Sequence, residues 1–180
     1  MYELAISGDL DNTSDLKGRL HSSTAKDVAV TYLNEHFTDL HISADALYLS
    51  FVDPEVERVL AAKYGDGTGV TNVNMAGVTS INYDTGFNGN KTITSFPELK
   101  KFTNLINLNV YAFALTSNLT TIDLTNIQHI GGQAFYGSGI TGVINLPNIV
   151  SFGDSAKMDS FRACTNITEV NIGPSFNNNT

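Results

Sequence analysis

Apolar residues in the second half of the chain recur at a period too long for one helix or one strand. Phe113, Phe135 and Phe161 are spaced by 22 and 26 residues, and the apolar positions behind them keep step: Leu119, Ile140 and Ile167, then Leu124, Leu146 and Ile172. A repeat of about 20 to 50 residues is the mark of stacked structural units. Within the units a Leu-x-x-Ile-x-Leu pattern stands out, as Leu105/Leu108/Val110, Leu119/Ile122/Leu124 and Ile167/Val170/Ile172. Its last two apolar residues lie two apart, the spacing that puts side chains on one face of a strand. The segment GITGVINLPNI departs from this by one residue between Ile140 and Leu146, which predicts a β-bulge. A turn follows, Leu124-Thr125-Asn126-Ile127 or Leu146-Pro147-Asn148-Ile149, then Gly131 or Gly153, then the Phe that closes the opposite wall. Such a coil cannot enclose its own apolar side chains, so the expected fold is a solenoid whose coils stack and share one core.

Ahead of the repeats the pattern predicts a helix over about 53–65. Asp53 suits the N-cap, Pro54 the first helical position, Glu55 and Glu57 the positive end of the dipole, and Gly65 a left-handed stop. Val56, Val59, Leu60 and Lys63 then lie on one face, as expected of a helix that caps the first coil. The loop after it, YGDGTGVTNVNMAG, reads as a plain turn: it keeps Asp66 but lacks the spaced acids and terminal Glu of a calcium loop. Residues 1–50 read as a separate small α+β segment of unknown role. There Ser23 or Thr24 caps a helix through Phe37, with Val30, Leu33 and Phe37 on one side, YLSF is a strand, and GDLDNTSDLKG is a turn-rich junction.

The stretches NLTTIDLTNIQHIGGQAF, INLPNIVSFG and FRACTNITEVNI resemble the BspA-like leucine-rich repeats of bacterial surface proteins. FVDPEVERVLAAKYGDGTGVTNVNMAGVTSI, followed by FNGNKTITSFPELKKFTNL, resembles the lead-in found in such proteins of the Bacteroidales type. The resemblance covers about residues 51–176 and implies a leucine-rich repeat solenoid of mostly short strands and turns over 51–180. Cys164 matches the family's Cys three residues after Phe, a position buried between coils, where Thr116 and Ser138 stand in the other units. Ser160 replaces the family's Ala before Phe161, and KMDS at 157–160 reads as an insertion that bulges its coil outward.

Composition narrows the function. Ten Lys and Arg against 18 Asp and Glu give a net charge of -8, and nucleic-acid binding depends on clustered basic residues. Asn, Thr and Ser take over much of the surface. Membrane insertion is not expected, because no window approaches the roughly 18 apolar residues a spanning helix needs. The start, MYELAISGDL, carries no signal peptide, so an exported form requires a leader outside this chain. With one cysteine, intrachain disulfides and Cys-based zinc sites are excluded.

Chemistry is absent from the pattern. His21, His36, His41 and His129 show no shared ligand spacing, and Gly137-Ser138-Gly139 lacks the G-x-S-x-G frame of a nucleophile elbow. Asp9, Asp11 and Asp15 read as a solvated acidic loop, and the Asn-x-Thr triplets as turn-to-strand boundaries. The expectation is therefore a protein that is not an enzyme and takes no metal or cofactor. The family resemblance implies cell-surface or secreted adhesion to a protein or glycan on a host or neighbouring cell; the alternative is a structural or receptor-binding part of a phage or secreted assembly. The outward positions between the core residues, Asn107, Asn109, Thr121, Asp123, Glu169 and Asn171, are the candidate contacts, with Tyr111 and Tyr136 as aromatic anchors. The end at PSFNNNT, just past Ile172, leads to the expectation that the chain belongs to a longer array or that a partner protects its last coil.

Overall fold

The computed structural model describes residues 49–65, 67, 69–153 and 159–176. The expectations for 1–48, for Asp66 and for Lys157 and Met158 of the KMDS insertion lie outside the described residues. Helix α1, Pro54–Tyr64, opens as expected: the Asp53 carboxylate accepts from Glu55 N–H at 2.9 Å and Pro54 occupies the first turn. Gly65 differs from expectation. Its φ is -97°, not left-handed, and glycine is needed because a Cβ would lie 1.9 Å from the Gly69 carbonyl oxygen. A second helix, α2, Asn72–Gly77, replaces the expected plain turn; Thr71 and Asn74 form a reciprocal capping box.

From residue 80 to 172 the chain winds as a parallel β-solenoid of about three turns. Each coil contributes to two strand walls. The first wall is a four-stranded sheet of two-residue strands, β1 (Ser80–Ile81), β3 (Asn107–Leu108), β5 (His129–Ile130) and β7 (Ser151–Phe152), all parallel. The second holds β2 (Ser95–Phe96) paired with β4 (Thr121–Ile122), and then β6 (Thr141–Leu146) paired with β8 (Asn166–Ile172). Asn107-Leu108 is thus in register with His129-Ile130, not with Thr121-Ile122. The two occurrences of Leu-x-x-Ile-x-Leu that look equivalent in the sequence lie on different walls. The predicted bulge is present between Gly142 and Val143, yet the extra residue is on β8: Gly142 pairs with Ile167 and Val143 with Glu169, skipping Thr168.

The third corner of each coil is a stack of phenylalanine rings. Phe87, Phe113, Phe135 and Phe161 follow one another with centroids 4.9, 5.5 and 5.1 Å apart, the last two pairs within 5° of parallel. The first three rings are fully buried and Phe161 partly so. Two residues beyond each ring the backbone turns left-handed, at Gly89, Leu115, Gly137 and Ala163. Their amides continue the stack, with Gly89 N–H donating to Ala114, Leu115 to Tyr136 and Gly137 to Arg162 carbonyls at 2.7–2.9 Å. In the next position the short side chains act differently: Thr116 Oγ1 closes its own turn by donating to the Phe113 carbonyl at 2.7 Å, whereas Cys164 Sγ reaches one coil back and donates to the Phe135 carbonyl at 2.9 Å. Cys164 is half-buried, in line with its expected place between coils. On the far corner Asn104, Asn126 and Asn148 repeat every 22 residues, each side-chain amide donating to a carbonyl of the preceding segment, those of Ala76, Lys100 and Thr125.

Asp53 joins the helix to the solenoid. Besides capping α1, its Oδ2 accepts from Thr94 N–H at 2.6 Å, Thr94 Oγ1 at 2.8 Å and Ser95 N–H at 3.2 Å. Burial of Asp53 opposes its charge, but these bonds from Thr94, Glu55 and Ser95 outweigh burial and hold the carboxyl below the usual aspartate range.

Two outcomes follow for stability. Phe135→Ala removes the middle of the ring stack and should lower the unfolding free energy by about 3–5 kcal/mol in urea denaturation. Asp53→Ala should cost on the order of 3 kcal/mol at neutral pH, through a lost cap and unpaired amides on β2. Because the folded pKa lies below the unfolded value of about 3.9, the carboxylate's contribution is complete above that pH and is lost as pH falls through the folded value. Denaturation curves of the two proteins should therefore converge in strong acid; a gap that stays constant down to pH 2 would rule out this role for the Asp53 charge.

Candidate functional site

The second wall is where the structure gathers half of the candidate residues. Thr121, Glu169 and Asn171 are exposed along it and Asp123 is half-buried at the end of β4. Asn107 and Asn109 belong to the first wall or its continuation. Tyr111 and Tyr136 flank the phenylalanine corner, both half-buried, Tyr111 with a φ of 59° and Tyr136 with the Arg162 guanidinium carbon 5.8 Å from its ring centroid. The eight positions therefore form three groups and not one face.

The second wall is not a continuous sheet. β2 and β4 form one ladder, β6 and β8 another, and β4 and β6 are not ladder partners. What joins them is the bond from Thr141 N–H to the Thr120 carbonyl at 3.1 Å. Two local features part the coils beyond it. Asp123 turns its own chain aside after two strand residues, accepting from Thr125 N–H at 3.0 Å and Thr125 Oγ1 at 2.6 Å. Gly142, the second residue of β6, has a φ of 73° at the bulge, and the four residues after it, Val143–Leu146, continue alongside β8.

Between them lies a cleft of about 260 Å³, lined by Pro97, Thr121, Asp123, Thr125, Val143 and Asn145 among others. Val143 is 50% exposed at its rim, an apolar side chain among polar ones. Asn145 is held by Asn171, whose Nδ2 donates to Asn145 Oδ1 at 3.0 Å. The Asp123 carboxylate is paired with Lys100 Nζ at 3.2 Å. Burial works against its ionisation, but the Thr125 bonds and Lys100 prevail and hold it below the usual aspartate range. Already engaged as a charged acceptor, Asp123 is placed to position its loop and not to take up a proton. Val143, Asn145, Pro97 and Lys100 were not among the residues singled out by the pattern. The one-residue slip in GITGVINLPNI marks Val143 and Asn145 as lying in an irregular strand, but no sequence signal brings Pro97 or Lys100 to them.

Among the described residues no group of three or more His, Cys, Asp or Glu side chains converges as metal ligands, and no helix is long and apolar enough to cross a membrane. The parallel coils, the ring stack and the asparagine turns define a leucine-rich repeat domain. The chain belongs to the BspA-type leucine-rich repeat family, whose repeat region matches residues 79–179 in six copies. No curated protein and no solved structure matches it. The family is typically non-catalytic, its repeats form protein-binding domains, and its members are generally surface proteins.

Proposed function

We propose that this chain is a noncatalytic adhesion protein of a bacterial surface, which recognises a protein or glycan of a host or neighbouring cell through its second wall. The observation that carries the reading is the parting of β4 from β6. It opens a cleft with a polar rim and one exposed apolar side chain, Val143, on a scaffold fixed by backbone ladders. At about 260 Å³ the cleft falls below the roughly 300–1,000 Å³ of pockets that enclose small molecules. It suits one side chain or sugar ring of a larger ligand whose remainder lies along Thr121, Asn145, Glu169 and Asn171. Rigid, weakly charged surfaces rich in Asn and Thr recognise macromolecules by shape and many modest hydrogen bonds. Adhesion and cell-surface placement extend what is general for the family.

The test is binding of the purified chain to arrays of immobilised extracellular proteins and glycans. A ligand found there should lose at least about tenfold in affinity, some 1.4 kcal/mol, with Thr121→Arg or Asn145→Arg. Asn107→Arg and Asn109→Arg, on the first wall, should leave it unchanged. The reverse pattern would move the site to the first wall, and protection of the native protein from protease added to intact cells would remove it from the surface.

A further inference from the structure

We propose, building on the cleft as the binding site, that its ligand is an extended, uncharged polypeptide segment, which enters between β4 and β6 and pairs with them as an additional strand. The cleft is marked by a ladder that opens after one rung. Thr141 N–H donates to the Thr120 carbonyl at 3.1 Å, and among the described residues no further backbone bond joins β4 to β6.

Strand polarity identifies the groups left facing the gap. The Leu146 carbonyl accepts from Gly173 N–H at 2.9 Å. In a parallel register this turns the N–H and C=O groups of Ile144 and Leu146 toward β8, and those of Val143 and Asn145 away from it. Across the gap, Asp123 N–H donates to the Phe96 carbonyl at 3.3 Å, which turns the peptide groups of Ile122 away from β2. Val143, Asn145 and Ile122 thus direct donors and acceptors into the cleft, and among the described residues none of these groups is bonded. Both sides of the gap belong to described coils, and each strand is already paired through its other edge.

An incoming strand supplies what such an edge lacks. In antiparallel register, one ligand residue opposite Val143 and another opposite Asn145 exchange both bonds with each, so a run of three residues satisfies β6. The middle side chain then points between the coils onto Ile122 and Leu124, which line the cleft. Ile122 is half-buried, although its ladder partner Phe96 is fully buried, and a small apolar side chain completes that layer. The outer two lie beside Val143 and Asn145. Charge sets the remaining condition. Asp123, the one charged residue of the lining, is neutralised by Lys100 at 3.2 Å, so a charged ligand side chain finds no counter-ion there. The lining also holds no aromatic ring on which a sugar could stack.

Amide hydrogen exchange of the 180-residue chain, followed residue by residue by NMR, tests the open ladder before any ligand is added. Val143 and Asn145 should exchange at least about 100-fold faster than Ile144 and Leu146; equal protection means a closed ladder and overturns the proposal. Random linear peptides, selected on this chain and counter-selected on Thr121→Arg, should then yield ligands that slow exchange at Val143 and Asn145. N-methylation of a paired backbone amide in such a peptide, with every side chain unchanged, should weaken it at least about tenfold. A selection that returns nothing, a bound peptide that leaves both amides exchanging, or tolerance of N-methylation throughout the peptide overturns the added strand. A glycan or protein that is lost with Thr121→Arg yet leaves both amides exchanging refutes the added strand alone and keeps the cleft; a ligand indifferent to Thr121→Arg refutes the cleft itself.

Discussion

The separation of hydrogen-bonded strands, about 4.8 Å, is the constraint on which this molecule depends. Once successive coils are joined by backbone bonds, every equivalent position is brought to nearly that distance from its counterpart. The phenylalanine centroids, 4.9–5.5 Å apart, sit at the spacing at which offset aromatic rings attract. Backbone that crosses between coils leaves no room for a side chain: a Cβ on Gly139 would lie 2.1 Å from the Ser117 carbonyl oxygen, and one on Gly131 would lie 2.8 Å from Val110 N. Positions between strands that cannot be apolar are filled by groups able to reach one coil back, as Asn104, Asn126 and Asn148 do. Repetition in the sequence is a consequence of that single distance.

This explains which features are legible in the chain and which are not. A buried ring with nothing but its own kind above and below must recur, so the 22- and 26-residue spacing exposes the stack directly. Helix α1 is equally plain, since Asp53 at the N-cap, Pro54 in the first turn and the spaced valines are each a standard helix signal, although the second role of Asp53, toward Thr94 and Ser95, leaves none. The two walls are harder to separate. Strands of two residues offer no alternation to count, and both walls place an apolar residue beside an asparagine or threonine. Asn107-Leu108 and Thr121-Ile122 accordingly look alike while pairing with different neighbours. Helix α2 spans six residues, too few for a periodic signal, and rests on its Thr71–Asn74 cap. The left-handed corner is legible at Gly89 and Gly137 but hidden at Leu115 and Ala163, where a side chain occupies a conformation that disfavours it. Leu115 is also 47% exposed, a combination of strain and apolar exposure that packing does not explain.

The candidate site follows from a local failure of the same rule. Two coils of unequal length cannot keep register through a whole strand, and the mismatch collects where glycine permits it, at Gly142. On one side Asp123 closes a short turn; on the other β6 continues. The cleft between them is the cost of uneven coil length, and its rim residues came from both sides of the irregularity. A sequence pattern that describes coils one at a time identifies Thr121 and Asp123 as outward. It cannot show that Val143 and Asn145 face them, because that pairing arises between coils that have ceased to pair.

The two ends of the described solenoid are finished differently. At the first end α1 presents Val56, Val59, Leu60 and Ala61 to the core and is fastened by Asp53 to β2, while Glu55 and Arg58 pair with each other on its outer side and Asn90 donates to Glu55. The backbone polar groups of a helix are satisfied within it, so such a cap needs no further neighbour. A strand satisfies half of its groups through each edge, and among the described residues β8 is engaged through one. Adding further coils of the same kind moves the problem along without removing it, because each new coil ends in another strand edge. An edge of this kind is resolved by a helix, by charge and proline, or by a partner strand. On β8 the charge of Glu169 and the missing N–H of Pro174 supply a little of the second remedy.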